Sequence, residues 1–144
     1  MVVTVANTPN IIQSPVSQQL VATTTELVIN IKTATSSADI KKITKEYFKN
    51  TPVLAEIARC ESEYRQFSAS GVPLRGVVNS ADVGVMQINE SYHSARSKEL
   101  SMDIHTLEGN LDYGALLYKE QGSRPWNASK PCWGKRAETL AANI

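Results

Sequence analysis

Two acidic residues 21 positions apart carry most of the chemistry legible in this chain. They are Glu61, in Cys60-Glu61-Ser62, and Asp82, which opens Asp82-Val83-Gly84-Val85-Met86-Gln87-Ile88-Asn89. The first ends an apolar helical stretch and the second heads a short β segment, so the two carboxyls sit in unlike surroundings. Cleavage of a glycosidic bond uses such a pair. One carboxyl stays protonated to donate to the leaving oxygen, and the other stays ionised to stabilise or attack the anomeric centre. The plain alternatives are a solvated helix-end glutamate paired with Arg59 or Arg65, and a turn aspartate that caps its own backbone.

The elements around these residues are readable from spacing. Asn50-Thr51-Pro52 is a helix start, with a capping side chain followed by proline at the first helical position. In the helix that follows, Leu54, Ala58 and Glu61 share one face, and Val53, Ile57, Cys60 and Tyr64 the adjacent one. Glu61 is thereby directed toward the core side at a helix C-terminus. The dipole and the apolar neighbours both oppose its negative charge and push its pKa upward. A loop from 68 to 82, containing Gly, Pro and Ser, leads into Val83, Val85 and Ile88, with Gly84 permitting close backbone approach. Strand alternation would put Val85 and Gln87 on one face and Met86 and Ile88 on the other.

Elsewhere, Ile40, Ile43 and Tyr47 recur at helical spacing, and Thr106 to Gln121 forms the best helical segment, with Leu107, Leu111, Gly114 and Tyr118 in one stripe and Gly122 as its stop. The stretch from Arg124 to Trp133 reads as irregular and aromatic, with a loose terminal helix from Arg136 to Ile144. Residues 1–38 contain only two charged side chains, Glu26 and Lys32, and read as a linker or disordered arm. Within that arm, Leu27 to Ile31 looks like a strand without a partner. The expected fold class is α+β, mostly α, with one small β hairpin beside the Glu61 helix.

Composition narrows the function classes. With 42% hydrophobic and 20% charged residues, the 144-residue chain suits a single globular domain with one core. A net charge of +1 and no basic run with interleaved aromatics argue against nucleic acid. No apolar stretch is long enough to span a membrane. The start, Met1 to Asn7, lacks the positive and long apolar regions of a signal peptide. No Ser-His-Asp constellation, phosphate-cradling loop or dinucleotide fingerprint is present. The two cysteines lack zinc-ligand spacing, so no metal and no cofactor is expected. His93 and His105 have no partner pattern and read as surface or satisfied structural residues.

The spelling around the two acids resembles the lysozyme-like superfamily. Glu61-Ser62 resembles the catalytic helix end of soluble lytic transglycosylases, and Asp82-x-Gly84-x-Met86-Gln87-Ile88-Asn89 resembles the segment that follows in VirB-type transglycosylases and animal-type lysozymes. Gly109-Asn110-Leu111-x-Tyr113 resembles a later helix of the family, and the likeness covers roughly residues 45 to 134. It implies a lysozyme-like domain over 39–144 and a muramidase acting on the β-1,4 bond between N-acetylmuramic acid and N-acetylglucosamine. Glu61 would be the acid. Asp82 would be the second carboxylate of a hydrolase, or a bystander in a transglycosylase, which is the preferred reading. Met86, Gln87 and Asn89 would line the saccharide cleft, with Asn89 equally readable as a turn former. Ser70 stands nine residues after Glu61, where the family has a serine, but the inserted segment from Gly71 to Val78 makes Ser80 a rival. Pro125-Trp126-Asn127-Ala128 is the nearest match to the family's Ala-Tyr-Asn segment, so Trp126 stands where a tyrosine is usual. Trp126 and Tyr92 are either sugar-stacking platforms or, for the tryptophan, core.

The same resemblance implies an extracytoplasmic monomer whose partner is the peptidoglycan glycan strand, with the export signal not visible here. An oxidising compartment favours a Cys60–Cys132 disulfide over two buried free thiols. A catalytically silent glycan-binding module and a wall-cutting component of a secretion system or phage are the other settings left open.

Overall fold

The computed structural model describes residues 24–27 and 30–142. The described chain is mostly helical, with one two-stranded sheet. Helix α1 (Ser37–Tyr47) starts at Ser36, whose hydroxyl accepts the Asp39 amide at 3.2 Å, and it buries Ile40, Ile43 and Thr44 as their spacing implies. Helix α2 (Pro52–Ser62) opens on proline, as expected. Its N-cap Thr51, however, makes no side-chain cap, so the fixed φ of Pro52 alone marks the start. Leu54, Ala55, Ile57 and Ala58 are the buried face of α2.

After α2 the chain turns sharply, and Glu63 and Tyr64 both adopt left-handed φ values of 54° and 62°. Such conformations cost non-glycine residues about 1–3 kcal/mol each and persist where packing over-determines them. Here the Tyr64 ring is buried, with the Lys41 ammonium 5.9 Å from its centroid. The following loop is more ordered than its Gly and Pro content suggests. Phe67 bridges Pro73, and Arg75 bridges Val83, so the loop runs beside the sheet. Strand β1 (Asp82–Val83) pairs antiparallel with β2 (Ile88–Asn89), Asp82 opposite Asn89 and Val83 opposite Ile88.

Between the strands, residues 84–87 form a turn rather than continuous strand, closed by the Gln87 amide donating to the Gly84 carbonyl at 3.1 Å. The expected face alternation therefore fails. Val85 and Met86 are consecutive, yet both are fully buried. Three buried polar side chains hold this turn. Ser62 Oγ donates to Val85 O at 2.8 Å, Gln66 Oε1 accepts Val85 N at 2.9 Å, and Asn110 Oδ1 accepts Met86 N at 2.8 Å. Asn110 Nδ2 also donates to Val83 O and Ile104 O. Gly84, at φ 74°, sits inside this clamp, and a Cβ there would lie 2.5 Å from both Asn110 Nδ2 and Gln66 Oε1. No other residue type fits without displacing them.

Helix α3 (Glu90–Glu99) is capped by Asn89. Helix α4 (Leu107–Gln121) is capped by Thr106, whose hydroxyl accepts the Gly109 amide at 3.1 Å. The buried stripe of α4 continues through Leu117 rather than Tyr118, which is only half-buried. A 3-10 turn (Arg124–Ser129) leads into α5 (Lys130–Ala142), so the C-terminal segment is regular, and its helix begins six residues before the expected Arg136. Helix α5 packs mainly on α2 and is joined to it by the Cys60–Cys132 disulfide, with Cα atoms 6.0 Å apart.

The N-terminal expectation also needs correction. Leu27, Asn30 and Ile31 are helical rather than extended; Val28 and Ile29, like 1–23, lie outside the described residues. Ile31 and Ala34 are buried in the core, so the packed domain reaches back past residue 39 into the expected arm. None of the described helices is long and apolar enough to cross a membrane.

The clamp makes a stability prediction. Asn110→Ala removes the partner of the buried Met86 amide and a donor from Val83 and Ile104. A stranded buried group costs about 1–3 kcal/mol. The variant should lose about 3 kcal/mol or more in chemical denaturation, and an unchanged midpoint would contradict the clamp.

Candidate active site

Glu61 occupies the penultimate position of α2, half-buried where the helix meets the hairpin and the C-terminal segment. Ser129, the last residue of the 3-10 turn, donates its hydroxyl to Glu61 Oε1 at 2.5 Å. Ser129 Oγ is itself approached by Trp133 Nε1 at 3.0 Å, and that indole also reaches Trp126 O at 3.2 Å. Indole, hydroxyl and carboxyl thus form a short relay in which each bond polarises the next. Burial raises the Glu61 pKa above the usual glutamate range. The Ser129 hydrogen bond opposes that shift, and the negative charge of Asp82 adds to it. Burial outweighs the serine, so the carboxyl is biased toward its protonated form.

Asp82 reaches the same region from the first position of β1. Asn89, its partner across the sheet, donates Nδ2 to Asp82 Oδ1 at 2.8 Å and accepts the Ser91 amide at 3.1 Å to cap α3. Of the two readings left open for Asn89, the structure supplies a structural one. Gln87, at φ 49°, folds its amide back onto Gly84 O at 2.8 Å. A Cβ on Gly76 would meet Gln87 Oε1 at 2.9 Å and Asp82 Cβ at 3.1 Å, so both side chains crowd one glycine. Gln87 remains half-buried, with Oε1 and a second N–H not used in that bond.

Other expected contacts lie elsewhere. Met86 is fully buried against Gly114, so it is core and not a cleft wall. Trp126 is 3% exposed and spends its indole N–H on Met86 O at 2.9 Å, which makes it a brace behind the turn rather than a stacking platform. Tyr113 is buried as well, its hydroxyl 3.1 Å from His93 Nδ1. Tyr92, by contrast, is 82% exposed on α3. Ser70 is exposed and bonded to Ser68, while Ser80 is exposed and offers its carbonyl to Arg75. His105 lies between Glu90 Oε2 at 3.1 Å and Asp103 Oδ1 at 2.9 Å, and Arg75 pairs with the other oxygen of Glu90. Both histidines are thus satisfied structural residues. Two grooves, one along α1 lined by residues such as Leu27, Asn30 and Ile43, the other beside the loop lined by residues such as Thr35, Arg65 and Phe67, contain neither Glu61 nor Asp82.

Sequence reasoning missed Ser129, Gln66 and the clamping role of Asn110. Ser129 carries no spacing signal, because it reaches Glu61 across 68 residues. Asn110 had one faint sign, a polar residue at helical spacing among Leu107, Leu111 and Gly114, while Gln66, in a polar stretch, had none. No protein-family model, curated protein or solved structure matches the chain.

The raised Glu61 pKa fixes a sign for stability. The folded state holds this proton at pH values where the unfolded chain has released it. Stability therefore falls as pH rises from the ordinary glutamate pKa through the folded one, and the loss is complete above it. Glu61→Gln removes the titration, so its melting temperature should gain on wild type as pH rises above the ordinary glutamate range. A constant difference across that rise would rule out a raised carboxyl.

Proposed function

We propose that this chain cuts peptidoglycan glycan strands at the β-1,4 bond between N-acetylmuramic acid and N-acetylglucosamine, as a lytic transglycosylase with a lysozyme-like domain. The supporting observation is Glu61: a half-buried carboxyl, biased toward the protonated form, held at one oxygen by Ser129 and flanked by Asp82. With Oε1 engaged by the serine, Oε2 is the oxygen free to carry the transferable proton.

Glu61 donates that proton to the glycosidic oxygen as the bond to the anomeric carbon breaks. The resulting carboxylate then takes the proton of the muramoyl hydroxyl, whose oxygen closes on the anomeric carbon. The product is an anhydro sugar and no water is consumed. Asp82, bonded to Asn89 beside Glu61, takes no step in this route. Gln87, beside Asp82, is the residue best placed to meet an N-acetyl group or hydroxyl. The Cys60–Cys132 bond fits an oxidising, extracytoplasmic setting.

One observation favours a second reading. Glu61 feels the charge of Asp82, so two carboxyls share the region, as a hydrolase requires. Digestion of purified sacculi with product mass analysis separates the readings. The wild type should yield anhydro ends, and Asp82→Asn should keep appreciable activity with the same products. Reducing ends, lost on Asp82→Asn, would favour the hydrolase instead. Binding of sacculi without any cutting would leave a silent glycan-binding module.

Glu61→Gln keeps the shape but removes the proton, and a general acid contributes about 10²–10⁴ in rate. Turnover on sacculi should fall by that factor with binding nearly intact. Retention of more than about a tenth of wild-type turnover would refute Glu61 as the acid.

A further inference from the structure

The disulfide sits where it can govern the site. Cys60 directly precedes Glu61, and Cys132 lies three residues after Ser129, in the first turn of α5. One covalent bond therefore ties together the two segments that carry the Glu61–Ser129 hydrogen bond. Cys132 is exposed and Cys60 half-buried, so an external thiol meets the Cys132 sulfur first. Behind the bond lies a guanidinium. Arg59 Nη2 is 3.3 Å from Cys60 Sγ and 3.6 Å from Cys132 Sγ, while its Nε is fixed by Glu56 Oε2 at 2.8 Å. Arg136 Nη1 is 3.7 Å from the same carboxylate, so two cations share one anion there. A buried structural disulfide needs no cation against its sulfurs. A cation beside a cysteine stabilises its thiolate, and a stabilised thiolate is the better leaving group in exchange.

We propose that the Cys60–Cys132 bond is a thiol–disulfide exchange site for a dithiol reductant, and that opening it releases Ser129 from Glu61. The reductant's thiolate attacks the Cys132 sulfur and forms a mixed disulfide. The bond to Cys60 breaks, and its electron pair leaves on the Cys60 sulfur, where Arg59 stabilises the thiolate until it takes a proton. The reductant's second thiol then displaces Cys132, so the dithiol becomes a disulfide while two protons and two electrons pass to the two cysteines. With the covalent tie gone, α5 and the end of the 3-10 turn are held to α2 only by packing, the Arg136–Glu56 ion pair and the Ser129–Glu61 hydrogen bond itself, and the donor on Glu61 is no longer fixed. The consequence for activity rests on Glu61 being the acid of the proposed reaction. The exchange chemistry and the loosening of α5 do not.

The two halves are tested separately. The native protein is treated with dithiothreitol, quenched by alkylation and weighed over time. Wild type should be reduced without denaturant, and Arg59→Gln about tenfold more slowly, through loss of leaving-group stabilisation. Glu56→Gln breaks the same ion pair but keeps the guanidinium on the sulfurs, and it should be reduced at least as fast as wild type. Reduction only in denaturant, or equal slowing in both variants, would overturn the exchange site. Hydrogen exchange read by mass should then rise over 124–142 on reduction and stay unchanged in α4 and the hairpin. Unchanged exchange over 124–142, or a rise throughout the chain, would overturn the release of Ser129. If both measurements come out as expected, sacculus cutting should fall on reduction. No cutting by the oxidised wild type would instead count against the proposed function and leave the exchange site standing.

Discussion

The structure depends on the enclosure of one four-residue turn. Residues 84–87 place two backbone amides and two carbonyls, of Val85 and Met86, in the interior, where unpaired polar groups are costly. Ser62, Gln66 and Asn110 satisfy three of them, and Trp126 satisfies Met86 O from behind. The four come from the end of α2, the following loop, α4 and the 3-10 turn. Each element is thereby referenced to the same few atoms, and the hairpin cannot slide along α2 without stranding several buried groups. Ser62 is the closest tie to chemistry, because it fastens the turn to the residue that follows Glu61.

That arrangement explains how a two-stranded sheet with such short strands keeps one register. Two residues per strand give too little ladder to hold a register on their own. The register of Asp82 opposite Asn89 is set by the clamp on one side and by the bridge from Arg75 to Val83 on the other. Asn89 then serves both neighbours, binding the Asp82 carboxyl and capping α3. Strain is concentrated just beyond Glu61, where Glu63 and Tyr64 hold left-handed backbone so that the chain can leave α2 and turn into the clamp.

The environment of Glu61 is a balance between opposed effects. Burial favours the neutral acid, Ser129 favours the anion, and Asp82 works with burial. The serine belongs to a segment far away in sequence, and that segment is brought to α2 by helix packing, two buried tryptophans and a disulfide. Protonation at Glu61 is therefore tied to how the C-terminal segment docks.

Helices α1, α2 and α4 were legible in the sequence because amphipathic spacing and caps are local. Ile40 and Ile43 mark a buried face, and Pro52, Thr106 and Gly122 mark boundaries, that the structure keeps. The mostly helical class and the position of the hairpin followed from the same signals. What local pattern could not decide was the inside and outside of the turn. Val85 and Met86 both point inward because buried side chains from three elements take up their backbone groups, and this overrides strand alternation. Trp126 was readable as a stacking platform, though core was the favoured reading, and its burial and hydrogen bond to Met86 make it core. Leu27 to Ile31 has a β-rich composition, yet its described residues are helical, with Ile31 buried, which shows tertiary burial winning over local preference. By itself the sequence determined which residues can titrate, cap or bury. Only the tertiary structure decided which of them meet, because the Glu61–Ser129 contact spans 68 residues and arises from the packing of α5 on α2.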